Sequence, residues 1–297
     1  MADKADQAEK PEKKDKKEPA AKAPGTKLDF ASIAGLVVAL SGILGGLIME
    51  GGRIADLAQI TAAMIVLGGT LGAVMLTTPI SILVAAAKRF NVIFFERNVS
   101  ASQILEEIIS YASKARKNSI VSLEADLDKI PDPFLRKALA LAVDGTDLNA
   151  LRGIMELDIA LDEKAAEAEA KVYEAAGGYA PTVGIIGAVL GLIQVMKHLE
   201  NIDEVGRGIA VAFVATVYGV GAANLFFLPA ANKLKARAHQ MLHAKELMLE
   251  GVCSIVEGLN PKLIRIKIEA FARESAAKDT AKAAGNQAAP AAAAAKS

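Results

Sequence analysis

The sequence predicts an all-α membrane protein with four transmembrane helices and a helical cytoplasmic insertion between the second and third spans. Four long blocks of this 297-residue chain contain no charged side chain and consist mainly of apolar and small residues. A block of about 20 apolar residues is what a helix needs to cross about 30 Å of hydrocarbon. The stretch between the second and third blocks instead has apolar residues at helical spacing with charges between them, which is typical of helices in water.

A charged tail precedes the first hairpin. Residues 1–28 alternate charges with alanine and proline, and we expect a disordered tail because such a segment buries too little surface to offset the entropy of ordering. The first transmembrane hairpin, residues 29–87, contains the charge-free runs from Phe30 to Met49 and from Leu57 to Ala87. Pro79 predicts a kink late in the second run, because proline removes a helical hydrogen bond.

The insertion covers residues 88–178 and is predicted to be a cytoplasmic helical domain. Its segments carry apolar residues at a helical period, and the sequences IPDPF and DGTD mark breaks between helices. Ser100 or Ser102 is a plausible cap for one helix and Asp147 for another, because short polar side chains accept hydrogen bonds from the first free N–H groups of a helix. No segment alternates apolar and polar residues as a half-buried strand does.

The second transmembrane hairpin is predicted over residues 179–232. Its third span starts near Ala180, and its fourth is the charge-free run from Gly208 to Asn232. Residues 233–275 have the amphipathic pattern of cytoplasmic helices. Residues 276–297 are rich in alanine and low in complexity, so we expect a second disordered tail.

The distribution of cations predicts the orientation in the membrane. Of the 34 Lys and Arg residues, only Arg53, Lys197 and Arg207 lie in the two short turns between spans. Because cytoplasmic loops carry the excess of positive charge, both termini and the insertion are expected in the cytoplasm. The protein is then a multi-pass membrane protein that exposes only two short turns on the outer side.

The sequence has no pattern typical of an enzyme. It contains no Walker A loop, no GxSxG and no dinucleotide fingerprint after a strand. His239 and His243 are four residues apart and could face one metal, but no third ligand accompanies them, and a helix surface is the simpler explanation. We expect no catalytic residue, no metal site, no resident cofactor and no nucleic-acid partner.

The four spans contain no Asp, Glu, Lys, Arg or His. A transporter that carries protons by itself normally has an ionisable group at membrane depth, so a titrating group must come from another chain. The simplest role for a threonine in a span is a hydrogen bond to the carbonyl one turn earlier. Thr182 stands out because it follows Pro181, which frees a backbone carbonyl that can hold water or help to coordinate a cation.

The chain resembles the MotA class of flagellar motor stator subunits, within the wider MotA/TolQ/ExbB group of proton-channel proteins. Five segments carry the resemblance, in the same order as in that class and across roughly residues 28–268. They read GLVVALSGILGGLIMEGG, AAMIVLGGTLGAVM, SLEADLDKIPDPFLRKALALAVDGTDLNALRGIMELDI, APTVGIIGAVLGLI and AVAFVATVYGVGAANLFFLPAANKL. Each is a soft apolar pattern alone, but five in order are specific.

The resemblance implies an assembly. MotA-like subunits form a homo-oligomeric ring, expected here to be a pentamer, around the membrane segments of a dimeric MotB-like protein. That partner has one span, carries the aspartate that binds the proton and is anchored to peptidoglycan. Ion flow is expected to move the ring in the lipid bilayer, so that the cytoplasmic insertion pushes on the rotor protein FliG.

The resemblance also implies roles for residues in the spans. The two prolines linked to torque match Pro181 and Pro229, and the fourth-span threonine matches Thr216. Sodium-driven relatives carry a second threonine where this chain has Ala188. A methyl group cannot ligate a hard cation that prefers oxygen, so we expect a proton path past Thr182, Ala188 and Thr216, with Na⁺ as the alternative ion.

A rotor contact is implied at the start of the insertion. The class places a basic residue just after the second span and an acidic residue about eight positions later. Lys88 and Glu96 fit that spacing, with Arg89 as the neighbouring cation. Arg97 stands where some relatives have a second acid, so the finer charge pattern is left open, and Lys88 and Arg89 could instead be boundary cations that reach the headgroups.

Three other functions remain open from the sequence. An ExbB/TolQ-like energiser of another envelope machine is disfavoured by the four spans and by the DPFL and VDGTD segments. A self-sufficient secondary transporter is expected to show an internal repeat, and none is convincing here. A purely structural membrane scaffold would leave the density of motifs unexplained.

Overall fold

The computed structural model describes residues 26–97 and 101–271, and these are almost entirely helical. Within them, four helices are long and apolar enough to cross a membrane. This agrees with the predicted all-α class and with the predicted number of spans. The first 25 residues of the predicted tail 1–28, the whole predicted tail 276–297 and the possible cap Ser100 lie outside the described residues.

The first hairpin begins at a capped helix and ends at a proline break. Helix α1 (Phe30–Met49) starts after Asp29, whose carboxylate accepts a hydrogen bond from the N–H of Ser32. The second span is an 18-residue run, Ile60–Thr77. It consists of α2 (Ile60–Ala63), a π-helical segment (Met64–Gly68) and α3 (Gly69–Thr77), and it follows a 3₁₀ turn (Ile54–Leu57).

Pro79 separates the second span from the helix that follows it. Thr78 is extended (φ −131°, ψ 131°), and Pro79 caps α4 (Ile80–Arg89). The sequence predicts a kink here, and the structure has a complete interruption. The missing proline N–H cannot bond the preceding turn, and the residue before a proline favours an extended backbone.

A small antiparallel ribbon lies at the start of the insertion. After α5 (Asn91–Phe94), strand β2 (Phe95–Arg97) pairs with β1 (Thr26–Leu28). In the register, Thr26 lies opposite Arg97, Lys27 opposite Glu96 and Leu28 opposite Phe95. The ribbon uses the last three residues of the predicted tail, and a strand of this length is too short to show an alternating pattern in the sequence.

The rest of the insertion is helical up to the third span. It contains α6 (Ala101–Asn118), a 3₁₀ turn (Ile120–Leu123), α7 (Glu124–Leu127) and α8 (Pro133–Val143). Asp132 caps α8 by accepting hydrogen bonds from the N–H groups of Phe134 and Leu135, at 2.9 and 3.0 Å. Pro133 occupies the first helical position, where its missing N–H costs nothing.

Two very long helices form the second hairpin. Helix α9 (Leu148–Lys197) has 50 residues and is about 75 Å long at about 1.5 Å per residue. It begins at Asp147, which caps it as predicted. The predicted boundary between the insertion and the third span, at residue 178, lies inside this continuous helix.

The return helix is equally continuous. Helix α10 (Ile202–Gly221), a π-helical segment (Ala222–Phe227) and α11 (Leu228–Val256) together make 55 helical residues. A last helix covers residues 261–271. Helices α9 and α11 therefore belong both to the membrane hairpin and to the cytoplasmic part.

The main hydrophobic core lies in the cytoplasmic part. It is shared by α6, α8, the start of α9, the end of α11 and the last helix. Each fully buried large aliphatic side chain contributes about 1.5–3 kcal/mol. Its largest fully buried members are Ile108, Leu123, Ile130, Leu135, Leu139, Leu151, Met155, Leu247, Val252, Ile264 and Ile268.

Candidate functional site

Helices α9 and α10 pack at backbone distance through small residues. A Cβ built on Gly184 would lie 2.9 Å from the carbonyl oxygen of Ala215, and one built on Gly191 would lie 2.8 Å from the backbone nitrogen of Ala212. Buried small residues repeat along both helices: Ala180, Gly184, Gly187, Gly191, Gly208, Ala212, Ala215 and Gly219. Small residues allow such close packing in lipid.

The second span packs against the same hairpin. A Cβ on Gly69 would lie 2.7 Å from a methyl of Val183, and one on Gly187 would lie 3.3 Å from a methyl of Ile65. The first span behaves differently, because no residue of α1 is buried. Within the described chain, the packed membrane unit therefore consists of the second span (α2, the π-helical segment Met64–Gly68 and α3) together with α9 and α10.

Ala188 and Thr216 lie at the same depth in this unit. They follow Gly187 and Ala215, and a Cβ on Gly187 would lie 2.8 Å from the Cβ of Ala215. Thr216 is partly buried and donates its hydroxyl hydrogen to the carbonyl of Ala212 at 3.2 Å. The oxygen of that hydroxyl keeps lone pairs, whereas the methyl of Ala188 offers none.

Thr182 makes the local hydrogen bond that is the simplest expectation for a threonine in a span. It is exposed and donates to the carbonyl of Tyr179 at 2.8 Å. Pro181 lies within α9 without ending the helix. The hydroxyl is therefore satisfied within its own turn and can still accept a hydrogen bond from water or from a partner chain.

Pro229 lies where the fourth span becomes cytoplasmic. It follows the π-helical segment at the second position of α11, and its own side chain is exposed. Proline has no N–H to donate to the carbonyl one turn earlier in the helix. The neighbouring Leu228 packs against Gly177, where an added Cβ would lie 2.6 Å from a leucine methyl. The two prolines thus flank one contact between α9 and α11.

A groove opens at the end of the unit that carries the short turns. It has a volume of about 560 Å³ and an apolar floor that includes Ile65 and Leu190. Its polar lining consists of Thr61, Gln194, Lys197, His198, Glu204 and Arg207. From the sequence, the charged residues are predicted only to form a turn, because their spacing along the chain does not show that they border one groove.

The two candidate cations after the second span differ in environment. Lys88 is exposed. The Nε of Arg89 lies 2.9 Å from the carboxylate of Glu169, whose side chain is only 11% exposed. Glu96 lies in β2, opposite Lys27, and its side chain is outside the described part of the structure. Lys88 is therefore the cation that is open to a partner, and Arg89 forms an internal pair.

A second hydrophobic cluster lies next to the Arg89–Glu169 pair. The Tyr173 hydroxyl donates to the carbonyl of Ala86 at 3.0 Å and ties α4 to α9. The buried members of this junction cluster are Ala86, Ile93, Ala170, Tyr173, Ala230, Ala231 and Leu234. Sequence reasoning missed Glu169 and Tyr173, although their spacing of four places both on one face of a helix.

Two family models match the chain. The model described as the MotA/TolQ/ExbB proton channel family matches residues 126–247, and the one described as Motility protein A N-terminal matches residues 33–118. Motility protein A of Bacillus subtilis is 34% identical over 242 residues, which are 81% of this chain and 90% of the relative.

Solved structures agree with the sequence comparison. The structure of C. jejuni MotAB has a TM-score of 0.78 at 31% identity, with 82% of this chain and 96% of that chain covered. The flagellar MotAB stator complex from Bacillus subtilis has a TM-score of 0.75 at 34% identity, with 80% and 94% covered. The similarity therefore includes both membrane hairpins and the insertion between them.

Proposed function

The chain belongs to the MotA/TolQ/ExbB proton channel family as an ion-channel stator subunit of the flagellar motor, and we propose that it couples inward proton flow to torque on the rotor protein FliG. The observation that carries this proposal is the packed α9–α10 hairpin. It holds Ala188 and Thr216 at one depth in a wall of small residues, and the spans contain no Asp, Glu, Lys, Arg or His.

A MotB-like partner supplies the missing carboxylate in this proposal. The similar solved structures are MotAB complexes, and a chain without a membrane carboxylate needs such a partner to bind a proton at membrane depth. We propose a ring of five copies around a partner dimer. The ring lies in the bacterial inner membrane with both termini in the cytoplasm, as the distribution of cations favours.

The proposed ion is the proton. A sodium site needs several oxygen ligands, and at the depth of Thr216 the neighbouring helix offers the methyl of Ala188. A proton can instead pass by way of water and a partner carboxylate, for which one hydroxyl that accepts a hydrogen bond is sufficient. Thr182, on the same helix as Ala188, provides a second hydroxyl in the third span.

The two long helices are proposed to transmit the motion. Helices α9 and α11 contribute both to the membrane hairpin and to the cytoplasmic core, so a rotation of the hairpin moves that core as well. Exposed Lys88 and the strand that carries Glu96 form the proposed rotor contact. Charges of this kind act mainly through steering and register.

The decisive experiment separates sodium from protons in living cells. The chain and its cognate partner are expressed in a stator-null host, and swimming speed is measured while sodium and pH are varied independently. We expect speed to follow the proton gradient and to be insensitive to sodium at fixed pH. Speed that follows sodium at fixed pH would overturn the choice of ion, and no swimming with correctly inserted protein would overturn the motor function.

A further inference from the structure

Asp29 lies where three parts of the chain meet. It is only 7% exposed, although it precedes the first span by a single residue. Its carboxylate forms an ion pair with Lys233 and another with Arg237, the latter at 2.7 Å. Both cations belong to α11, more than 200 positions away in the sequence. Its backbone N–H donates to the carbonyl of Phe94 at 2.8 Å.

The ion pair with Arg237 is well shielded from water. The Arg237 side chain is 11% exposed and that of Asp29 is 8% exposed. Charge-assisted hydrogen bonds of this kind are stronger than neutral ones, and a shielded pair is screened less by salt than a surface pair. Capping α1 does not require these cations, because the cap is a separate hydrogen bond from Ser32.

The backbone of Asp29 continues the β1–β2 ribbon. The bond to Phe94 follows directly after the pairing of Leu28 with Phe95, and Lys27 lies opposite Glu96. Phe94 also packs edge-on against Phe90, with ring centroids 5.6 Å apart. Strand β2 therefore pairs with β1, and Asp29, which directly follows β1, binds α11 through its carboxylate.

We propose that Asp29 is a positioning residue for the rotor contact, which fixes the strand carrying Glu96 to the cytoplasmic end of the fourth-span helix. This inference rests on the proposed function. When ion flow moves α10 and α11, the ion pairs carry that motion to β2, so that the contact surface moves with the hairpin. Without them, ions still pass but less of the motion reaches the rotor.

The test uses the full-length chain in complex with its cognate partner. Asp29→Asn keeps an oxygen that can cap α1 and removes the charge, and Asp29→Glu keeps the charge. Glu106→Gln is the matched control, because Glu106 forms another carboxylate–arginine pair with Arg265, at 2.7 and 3.0 Å, on the surface of the cytoplasmic part. Three quantities are measured: proton flux in proteoliposomes, stall torque of tethered cells, and amide hydrogen exchange of residues 95–97.

For Asp29→Asn we expect unchanged proton flux, loss of most of the stall torque, and about tenfold faster exchange at residues 95–97, as the loss of one charge-assisted bond to a locally opening segment would give. Asp29→Glu is expected to restore part of the torque, and Glu106→Gln to behave as wild type. Unchanged torque and exchange in Asp29→Asn would overturn the inference, as would an equal loss of flux and torque. If the wild-type chain does not drive swimming, the proposed function fails, whereas the exchange data still decide whether Asp29 fixes the strand.

Discussion

Gly219 on α10 lies against the backbone of Ala180 on α9, and a Cβ built on Gly219 would be 2.5 Å from the Ala180 carbonyl oxygen. It would also be 3.0 Å from the Cα of Gly184. Both neighbours are backbone atoms, which cannot move aside as the end of a flexible side chain can. The two helices therefore fit together only while position 219 has no side chain.

Gly219→Ala is expected to separate the two helices and to lower the stability of the hairpin by about 1–3 kcal/mol, the usual effect of overpacking. Thermal unfolding of the purified complex and swimming speed measure the effect. Gly221→Ala is the matched control, because a Cβ there meets no atom within 4 Å in the described chain. Equal unfolding temperatures for the two variants would show that the close packing does not limit stability.

Lys88 and Arg89 are expected to fail in different ways when substituted. Lys88→Glu reverses an exposed charge, so we expect lower torque at unchanged stability. Arg89→Gln leaves the nearly buried Glu169 without its cation, and we expect a loss of about 1–3 kcal/mol because a buried charged group loses its partner. Torque measurements and thermal unfolding distinguish the two. A stable Arg89→Gln protein that has lost its torque would instead make Arg89 a rotor contact.

Asp29 gives a pH dependence with a defined sign. Its hydrogen bond with Lys233 is the main reason why the pKa of Asp29 falls from 3.8 to about 2. A carboxyl group with a lowered pKa stabilises the folded state above its ordinary pKa, and this contribution is lost as the pH falls towards the folded-state value. The unfolding temperatures of wild type and Asp29→Asn should therefore differ by a constant amount from pH 8 to 5, begin to approach each other below about pH 4 and coincide only near pH 2. Convergence between pH 8 and 6 would contradict this origin.

Sequence reasoning succeeded where local chemistry decides the structure. The charge-free runs give the spans and Asp147 caps α9, whereas Pro79 breaks the helix completely where the sequence predicts only a kink. It missed features that depend on distant partners. The cations that bind Asp29 follow the fourth span, and the carboxylate that binds Arg89 lies 80 positions away. The ribbon strands have three residues each, which is too few to show a period.

For the candidate site too, some features could be predicted from the sequence and others could not. The resemblance picks out Ala188 and Thr216, but only the close approach of Gly187 to Ala215 in the structure places them at the same depth. The continuity of α9 through position 178 was not predicted. Its water-exposed part has apolar residues at helical spacing and its membrane part has a charge-free run, so the sequence shows two different patterns on one helix. The environments of Lys88 and Arg89 also required the structure, since adjacent positions in the sequence give no indication of which cation faces inwards.

If the proposed proton path is correct, Ala188→Thr is expected to leave the choice of ion unchanged. The added hydroxyl lies at the depth of Thr216 and brings the number of threonine oxygens there to two. A hard cation prefers several oxygen ligands in a defined geometry, and the partner's residues at this depth are unchanged. Swimming speed at fixed pH should remain insensitive to sodium. Sodium-dependent speed in this single variant would show that position 188 alone decides the ion.

Thr216→Val is expected to reduce proton flux without unfolding the protein. The substitution removes the hydroxyl and keeps the shape of the side chain. The Ala212 carbonyl that accepts from this hydroxyl also accepts a backbone hydrogen bond of the helix, so it keeps a partner in the variant. Thr216→Ser keeps the hydroxyl and should retain flux. Thr77→Val is the control. Thr77 is the last residue of the second span, away from Thr216, and its hydroxyl makes the same kind of hydrogen bond, to the carbonyls of Ala73 and Val74. Flux through proteoliposomes is measured for all three; if Thr216→Val conducts as well as Thr216→Ser, the hydroxyl is not part of the path, and the proton passes by way of water and the partner carboxylate alone.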